Sequence, residues 1–231
     1  MASAPSLLSF ALECLASVVA PPRCAACDAR VPLMSAFCGP CSLAVESAGA
    51  LASGGDASAG CVAAFEYGGP VASSIARLKY ERRPDLARPL GDLLWRALKA
   101  IEPVPRQTLV IPVPLHASRL AERGFNQSAL IARRVARGFD VALLPLVLAR
   151  VRDTPRQVSL GRHARADNLA GAFRVRQAER VRDRAILLVD DVRTTGATLD
   201  ACARVLFEAG AASVSSAVVA AVREGSGPRR P

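Results

Sequence analysis

The chain has 231 residues, of which 51% are hydrophobic and 22% charged, so it can bury the core of one substantial domain and is not a disordered chain. Aromatic residues make up only 4%, which argues against a nucleic-acid surface built on base stacking, and no apolar run is long enough for a membrane helix. The formal net charge of +10 favours an anionic partner, although nearly all the basic residues are arginine, a skew typical of codon bias.

Residues 6–20 are predicted to form an amphipathic helix, because Leu8, Leu12, Leu15 and Val19 recur at helical spacing. An export signal would need a basic segment ahead of its apolar run, and no lysine or arginine precedes Arg23. We therefore expect a cytoplasmic protein with no membrane segment.

Two Cys-x-x-Cys pairs follow, separated by ten residues. They consist of Cys24, Cys27, Cys38 and Cys41. Two such pairs can complete a tetrahedron of thiolates, so the spacing predicts a closed, structural Zn²⁺ site in a zinc ribbon. The other three of the seven cysteines are expected to be buried as small apolar residues. These are Cys14, Cys61 and Cys202.

The composition changes near residue 60, after a stretch of small residues at 47–60 that is typical of a flexible linker. The formal charge is −2 before Cys61 and +12 from there onward. We predict an amino-terminal region at 1–60, a main domain at 61–224 and a frayed tail at 225–231.

The main domain alternates between apolar runs of strand length and amphipathic segments. Strands are predicted at 61–67, 109–115, 185–190 and 213–222, and helices at 70–80, 86–101, 126–137 and 199–209. This alternation predicts an α/β fold with a parallel sheet flanked by helices.

The segment ILLVDDVRTTGATLD, residues 186–200, combines a buried strand, two carboxylates, a Thr/Gly loop and a helix start. Loop N–H groups, threonine hydroxyls and a helix N-terminus suit a phosphate, whereas Asp190 and Asp191 suit sugar hydroxyls and Mg²⁺. Together they predict a site for a ribose 5-phosphate. No lysine follows Gly196, which excludes a P-loop, and only 40 residues follow Asp191, which is too short for a receiver domain.

VDDVRTTGAT resembles the phosphoribosyl-pyrophosphate (PRPP) loop of type I phosphoribosyltransferases. The segments YGGPVASSIARLKY, VIPVPLHASRLAERGFNQ and RVRDTPRQVSLGRHARADNLAGAF resemble the ComF family. The resemblance implies a type I phosphoribosyltransferase fold in which Asp190 and Asp191 are the catalytic pair on the ribose diol, and in which Mg²⁺ bridges substrate oxygens. It implies a binding loop for the 5-phosphate formed by Arg193, Thr194, Thr195, Gly196, Ala197 and Thr198.

By the same resemblance, His116, Arg119 and Arg123 form a pyrophosphate loop, and Arg162 and Arg165 lie in a hood loop that closes over the substrate. Simpler readings stay open here. The two arginines at 119 and 123 could form a solvated helix face, His116 a turn, and the 150–165 segment a surface for an acidic partner. Asn126 could simply cap a helix, and the roles of Lys79 and Tyr80 are open.

The resemblance implies an enzyme that displaces pyrophosphate from C1 of PRPP, with an acceptor that the sequence leaves open. The alternative is a non-catalytic competence module that senses PRPP or a nucleotide and binds single-stranded DNA or a ComFA-like helicase. Whether the chain forms an oligomer is also left open.

Overall fold

The computed structural model describes residues 21–33, 35–51, 60–101, 104–153 and 169–222. The predicted helix at 6–20, the tail at 225–231 and both hood arginines, Arg162 and Arg165, lie outside these ranges. In the part of the chain that is described, no helix is both long enough and apolar enough to cross a bilayer.

Helices and strands alternate along most of the chain. The helices are α1 (Gly39–Leu43), α2 (Gly69–Tyr80), α3 (Ala87–Ile101), α4 (Ala117–Arg123), α5 (Gln127–Phe139) and α6 (Ala197–Glu208). The strands are β1 (Ser47–Leu51), β2 (Cys61–Glu66), β3 (Leu109–Pro112), β4 (Ala142–Leu143), β5 (Leu148–Arg150), β6 (Phe173–Val175), β7 (Ala185–Arg193) and β8 (Ser213–Ala221).

The main sheet has six strands in the order β1-β2-β8-β7-β3-β4. Only β1 runs antiparallel to its neighbour, and the other pairings are parallel. Strand β7 lies in the interior of the sheet, where Ile186 pairs with Leu109 on one side and Val214 on the other. An apolar strand covered on both faces is what a parallel sheet with helical crossovers requires, so the predicted fold class is confirmed.

The two faces of β7 belong to different hydrophobic clusters. Ile186 and Leu188 pack in the cluster that contains Leu206 of α6. Leu187 and Val189 pack in the cluster that contains residues of α2, α3 and α5. This division follows from the period of two along a strand, and it places α6 on one face of the sheet and the other three helices on the opposite face.

The structure differs from the sequence expectation at several places. Residues Ser47–Leu51, expected to be linker, pair with β2 as an edge strand, so the main sheet extends across the expected boundary at residue 61. Helix α4 and the antiparallel β5–β6 pair were not predicted. Strand β7 was expected to end at Asp190 but continues to Arg193, because β8 pairs with it up to that residue.

Candidate functional site

A cavity of about 590 Å³ lies at the carboxyl ends of the parallel strands, where open α/β sheets bind ligands. It is lined by the end of β7, the loop that follows β3, the first turns of α6 and α5, and the end of α2. Its charged and polar lining is formed by Lys79, Arg119, Arg123, Gln127, Ser128, Arg150, Asp190, Asp191, Arg193, Thr194, Thr195 and Thr198.

Asp190 and Asp191 lie at the point where β7 loses one of its two partners. The pairing of β7 with β3 stops at Val189, opposite Pro112, whereas its pairing with β8 continues to Arg193. The two carboxylates are therefore fixed by a paired strand and still border the cavity. Both are buried, with exposed fractions of 8% and 2%.

Asp190 accepts two hydrogen bonds at one oxygen. The hydroxyl of Ser128 donates to Oδ1 at 2.6 Å, and the backbone N–H of Asp191 donates to the same atom at 2.9 Å. Burial, and next the negative charge of Asp191, raise the pKa of Asp190 to about 7, against the opposing effects of these donors and of Lys79. Its carboxyl group therefore titrates near neutral pH.

Asp191 forms an ion pair with Lys79, whose Nζ lies 2.8 Å from Oδ1. Burial alone would lower the pKa of Lys79, but the charge of Asp191 and its hydrogen bond outweigh this effect, and the pKa is raised. The other oxygen, Oδ2, is buried and has no hydrogen-bond partner among the described residues. It is a buried acceptor on a residue that lines the cavity, which suits a sugar hydroxyl or a cation.

The loop after β7 has the backbone conformation of an anion site. Gly196 has φ +86° and stands at the N-cap of α6, where no side chain caps the helix. The first N–H groups of α6 therefore have no side-chain cap, and the helix dipole adds partial positive charge. Thr194, Thr195 and Thr198 line the cavity beside them. This arrangement can bind a phosphate.

Arg193 is buried beneath this loop, with 9% of its surface exposed. A Cβ atom added to Gly196 would lie 3.1 Å from Arg193 Nε. The glycine is therefore needed both for its positive φ and for the close approach of the arginine.

The predicted pyrophosphate loop is divided between the cavity and a helix cap. Arg119 and Arg123 line the cavity, but His116 is not among its described lining residues. Instead His116 is the N-cap of α4, where its Nδ1 lies 2.9 Å from the hydroxyl of Ser118. The histidine thus has the turn role that the sequence left open, and it lies 3.4 Å from Asp153.

The two cavity arginines are positioned by neighbouring side chains. Arg119 Nε lies 3.8 Å from Asp153 Oδ1, and Arg123 donates a hydrogen bond to Gln127. The guanidinium carbon of Arg123 lies 5.9 Å from the centre of the Tyr80 ring, which is within the range of a cation–π contact.

Asn126 caps helix α5, as the simpler reading of the sequence allowed. Its Oδ1 accepts from the backbone N–H groups of Ser128 at 3.0 Å and of Ala129 at 3.4 Å. Its Nδ2 donates to the carbonyl oxygen of Val113 at 3.1 Å. One side chain therefore joins the start of α5 to the loop that follows β3.

Ser128 and Gln127 line the site but were not assigned roles from the sequence, and Arg150, the first residue of the predicted hood segment at 150–165, lines it as well. Ser128 could have been found only through its contact with Asp190, which lies 62 residues further along the chain. Arg150 lies in β5 with its guanidinium carbon 5.6 Å from the centre of the Phe173 ring. Burial and the charge of Arg119 lower its pKa.

A smaller cavity of about 400 Å³ adjoins the first at its basic end. It shares Lys79, Tyr80, Arg119 and Arg123 with the main cavity, and Arg82 and Glu122 complete its lining. The excess of positive charge makes this side of the site suitable for a polyanion.

The four predicted ligand cysteines come together. The Sγ atoms of Cys24, Cys27, Cys38 and Cys41 all lie within 4.8 Å of one another, and Cys27 and Cys38 approach to 3.6 Å. Tetrahedral Zn²⁺ with Zn–S bonds of about 2.3 Å requires sulfur atoms about 3.8 Å apart, so the cluster fits that ion. All four are free thiols rather than disulfides.

Backbone N–H groups also favour the thiolate form of one ligand. Burial acts to raise the pKa of Cys24. Hydrogen bonds from the backbone at Cys27, Cys38 and Ala26 lower it by more, so the pKa falls to about 6. A thiolate is the form that binds metal. In the following description the four cysteines and the turns between them, residues 24–41, are called the knuckle.

Comparison with known proteins places the chain among relatives. Residues 126–230 match the family described as "Phosphoribosyl transferase domain". The chain is 33% identical over 156 residues to the DNA utilization protein YhgH of Salmonella typhi, covering 66% of this chain and 68% of that protein. It is 32% identical over 145 residues to competence protein F of Haemophilus influenzae, covering 61% and 63%.

Among solved structures, it is similar to glutamine PRPP amidotransferase from B. subtilis, with a TM-score of 0.43 and 17% identity over 62% of this chain and 30% of that chain. The sequence relationship to YhgH extends over two thirds of that protein at one third identity. The parallel sheet, the domain match and these relatives lead to one conclusion: the chain belongs to the ComF family, and it has a type I phosphoribosyltransferase fold with an amino-terminal cluster of four cysteines.

Proposed function

We propose that the main cavity binds PRPP with Mg²⁺ and transfers its phosphoribosyl group to an acceptor, with release of pyrophosphate. The observation that carries this proposal is the juxtaposition at the end of β7. Two buried carboxylates, Asp190 and Asp191, and a helix N-terminus without a side-chain cap border one cavity. A ligand with a diol and a phosphate a few bonds apart matches both the carboxylate pair and the helix N-terminus.

The 5-phosphate occupies the loop from Arg193 to Thr198. The N–H groups at the start of α6 and the threonine hydroxyls donate to its oxygens, and Arg193 adds positive charge from below. Donors that already face the cavity require little reorganisation when a phosphate binds.

The ribose hydroxyls donate to Asp190 and Asp191. The buried Oδ2 of Asp191, which has no hydrogen-bond partner in the described part of the chain, supports this assignment. When bound, Mg²⁺ supplies positive charge that neutralises the diphosphate, and the same two carboxylates are the residues that would hold it beside the diol. Lys79 keeps Asp191 in place and limits the negative charge of the pair.

The bond between C1 and the pyrophosphate oxygen breaks with its electron pair leaving on the pyrophosphate, and a nucleophilic atom of the acceptor bonds to C1. Arg119 and Arg123 stabilise the negative charge that develops on the leaving group. The carboxylates of Asp190 and Asp191 face the positive charge that develops on the ribose ring. Arg162 and Arg165, in the segment after Arg150, are proposed to close over the site and exclude water.

The test is calorimetry with PRPP and Mg²⁺ on the wild type and on a variant with both Asp190→Asn and Asp191→Asn. The proposal expects binding by the wild type and at least a tenfold weaker affinity in the variant. Glu179→Gln, a change at a position remote from the main cavity, is the matched control. A wild type that binds no PRPP contradicts the proposal. Pyrophosphate release with a panel of bases or single-stranded DNA then identifies the acceptor class.

A second candidate function is a non-catalytic module that binds single-stranded DNA or a helicase and senses PRPP. The basic side cavity with Arg82, Arg119 and Arg123 favours it, because these side chains can follow a phosphate backbone. The names of the relatives, which refer to competence and DNA utilization, agree with a role in DNA uptake. Single-strand affinity should then fall with salt, and a slope near zero would exclude phosphate contacts.

We place this activity in the cytoplasm. The six cysteines in the described part of the chain are all free thiols, which is the state that a reducing compartment maintains.

A further inference from the structure

Helix α2 contacts the knuckle on one side and the main cavity on the other. Its apolar face is part of the core, with Ile75 and Leu78 almost fully buried. Ala25, which lies between two ligand cysteines, is fully buried in the same cluster. The knuckle is therefore packed against the main domain and shares part of its hydrophobic core.

Arg77 of α2 forms hydrogen bonds and an ion pair with the knuckle. Its guanidinium group donates to the carbonyl oxygens of Ala25 at 3.1 Å and Cys24 at 3.4 Å, and it lies 3.0 Å from Asp28 Oδ1. The side chain is only 12% exposed. Three acceptors of the knuckle thus converge on one planar cation, the kind of forked recognition for which arginine is suited.

Three of the acceptors of Arg77 lie in the turn that a bound metal would fix. Asp28 directly follows the ligand Cys27, has φ +66°, and donates its backbone N–H to the carbonyl oxygen of Cys24. Arg83, in the turn after α2, also contacts Asp28 at 3.2 Å. Loss of the metal would free the turn that holds Asp28 and both carbonyl groups, and so leave Glu81, 3.0 Å away on the same helix, as the remaining partner of Arg77 among the described residues.

Lys79 is two residues beyond Arg77 on the same helix and therefore points in a different direction, toward β7. There its Nζ lies 2.8 Å from Asp191 Oδ1. Two residues of one helical turn consequently join two sites. Arg77 and Lys79 belong to one helical turn, so a change in the position of that turn would move both side chains together.

We propose that Arg77 is a positioning residue, which holds the end of α2 to the metal-loaded knuckle and thereby keeps Lys79 against Asp191. Metal binding at the knuckle and ligand binding in the main cavity then reinforce each other. Such coupling is reciprocal, because each ligand favours the arrangement of α2 that the other requires. The part that concerns PRPP rests on the function proposed above; the link between the knuckle and Lys79 does not.

The first test is hydrogen exchange on the full chain, with and without Zn²⁺. Removing the metal should increase amide exchange at residues 77–83 and 190–193 as well as in the knuckle. Increased exchange confined to residues 24–41 would overturn the proposal. No PRPP is present, so a failure here is distinct from a failure of PRPP binding.

Arg77→Met removes the same contacts while the metal stays bound. It therefore tests the link between Arg77 and Lys79 even if the metal-free chain unfolds. It keeps an unbranched apolar stem and removes the donors. With one Zn²⁺ per chain, it should show the same increased exchange at 79–82 and 190–193. Arg96→Met, at an exposed position on α3, should not. Equal exchange in Arg77→Met and wild type would contradict the proposed link between Arg77 and Lys79. Exchange in Arg77→Lys should lie between the two, because lysine keeps the charge but not the forked donors of arginine.

The second test measures Zn²⁺ release to a colorimetric chelator. Saturating PRPP with Mg²⁺ should slow release from the wild type and from Arg96→Met about fivefold or more, and less than twofold from Arg77→Met. If Arg77→Met does not retain Zn²⁺, Asp28→Asn takes its place. Slowing of equal size in the variant and the wild type would overturn the coupling, as would unchanged release from a wild type that calorimetry shows to bind PRPP.

Discussion

Ser128 Oγ lies 2.6 Å from Asp190 Oδ1 and joins the first turn of α5 to the carboxyl end of β7. Both residues are buried, so this hydroxyl is a donor that water cannot easily replace. The hydrogen bond favours the ionised carboxylate, which burial disfavours, and the balance keeps the titration of Asp190 near neutral pH.

The stability of the protein should depend on pH through Asp190. Its pKa is about 7 in the folded chain, against an ordinary value of 3.8 for an aspartate, so between these values only the folded state holds the proton. The stabilisation this provides is lost as the pH rises through 7. Asp190→Asn carries no such proton, and its stability relative to wild type should increase by about 2 to 3 kcal/mol between pH 5 and pH 8. Urea denaturation at both pH values measures this, and a difference that does not change with pH contradicts it.

Ser128→Ala should raise the pKa of Asp190 further, because it removes a donor to the carboxylate. The carboxyl carbon chemical shift of Asp190, followed by NMR across the pH range, gives the value directly. Ser73→Ala is the control, since that serine hydroxyl donates to Gly69 on the exposed side of α2. A pKa of Asp190 that is equal in Ser128→Ala and wild type would exclude the role given to the hydroxyl.

Asp191→Asn should destabilise the fold by about 3 kcal/mol, because Lys79 would keep a buried charge without the carboxylate that pairs with it at 2.8 Å. Adding Lys79→Met to this variant should recover much of the loss, since it removes that charge. A double-mutant cycle by chemical denaturation measures the coupling. The exposed pair Arg106 and Asp140 is the control and should show less than about 1 kcal/mol; equal couplings for the two pairs would contradict the prediction.

Gly196→Ala should cost about 1 to 2 kcal/mol, because φ at this position is +86° and the new Cβ would lie 3.1 Å from Arg193 Nε. PRPP affinity should fall more than stability does, since the strain lies in the loop that we propose to bind the 5-phosphate. Gly68→Ala is the matched control, with extended backbone and open space around the added atom. Thermal unfolding and calorimetry provide the two readouts, and unchanged values in Gly196→Ala would contradict the assignment of the loop.

The purified chain should contain about one Zn²⁺, and Cys27→Ser should lose it, because a structural site needs all four thiolates. Cys61→Ala removes a buried cysteine that lies outside the cluster and should keep the metal. Metal analysis after dialysis distinguishes the two. A folded wild type without metal, or metal retained in Cys27→Ser, would refute the site.

The sheet and the cysteine cluster were predictable because both leave a local pattern. The run 186–189 is apolar without alternation, as a strand buried on both faces must be, and two Cys-x-x-Cys pairs need only their spacing to be recognised. Strand β1 has no such signal. Its residues are small, and it forms because β2 offers a free edge.

The remainder of the site could not be predicted because it depends on contacts across long stretches of chain. Lys79 is separated from Asp191 by more than a hundred residues, and in the sequence it resembles any lysine near the end of a helix. His116 illustrates the same limit. The family resemblance implied a place in the pyrophosphate loop and left a turn role open, and in the fold the residue is the N-cap of α4.

The end of the β3–β7 pairing has a consequence for how the cavity stays open. In a parallel ladder that continued past Val189, the N–H of Asp191 would donate to the carbonyl oxygen of Val113. Both groups have other partners: the N–H donates to Asp190 Oδ1, and the carbonyl accepts from Asn126 Nδ2. Two side chains thus satisfy the backbone groups that would otherwise draw the strands together. The gap between the strands therefore leaves neither of these backbone groups without a partner, and a ligand that entered it would break no sheet hydrogen bond at this point.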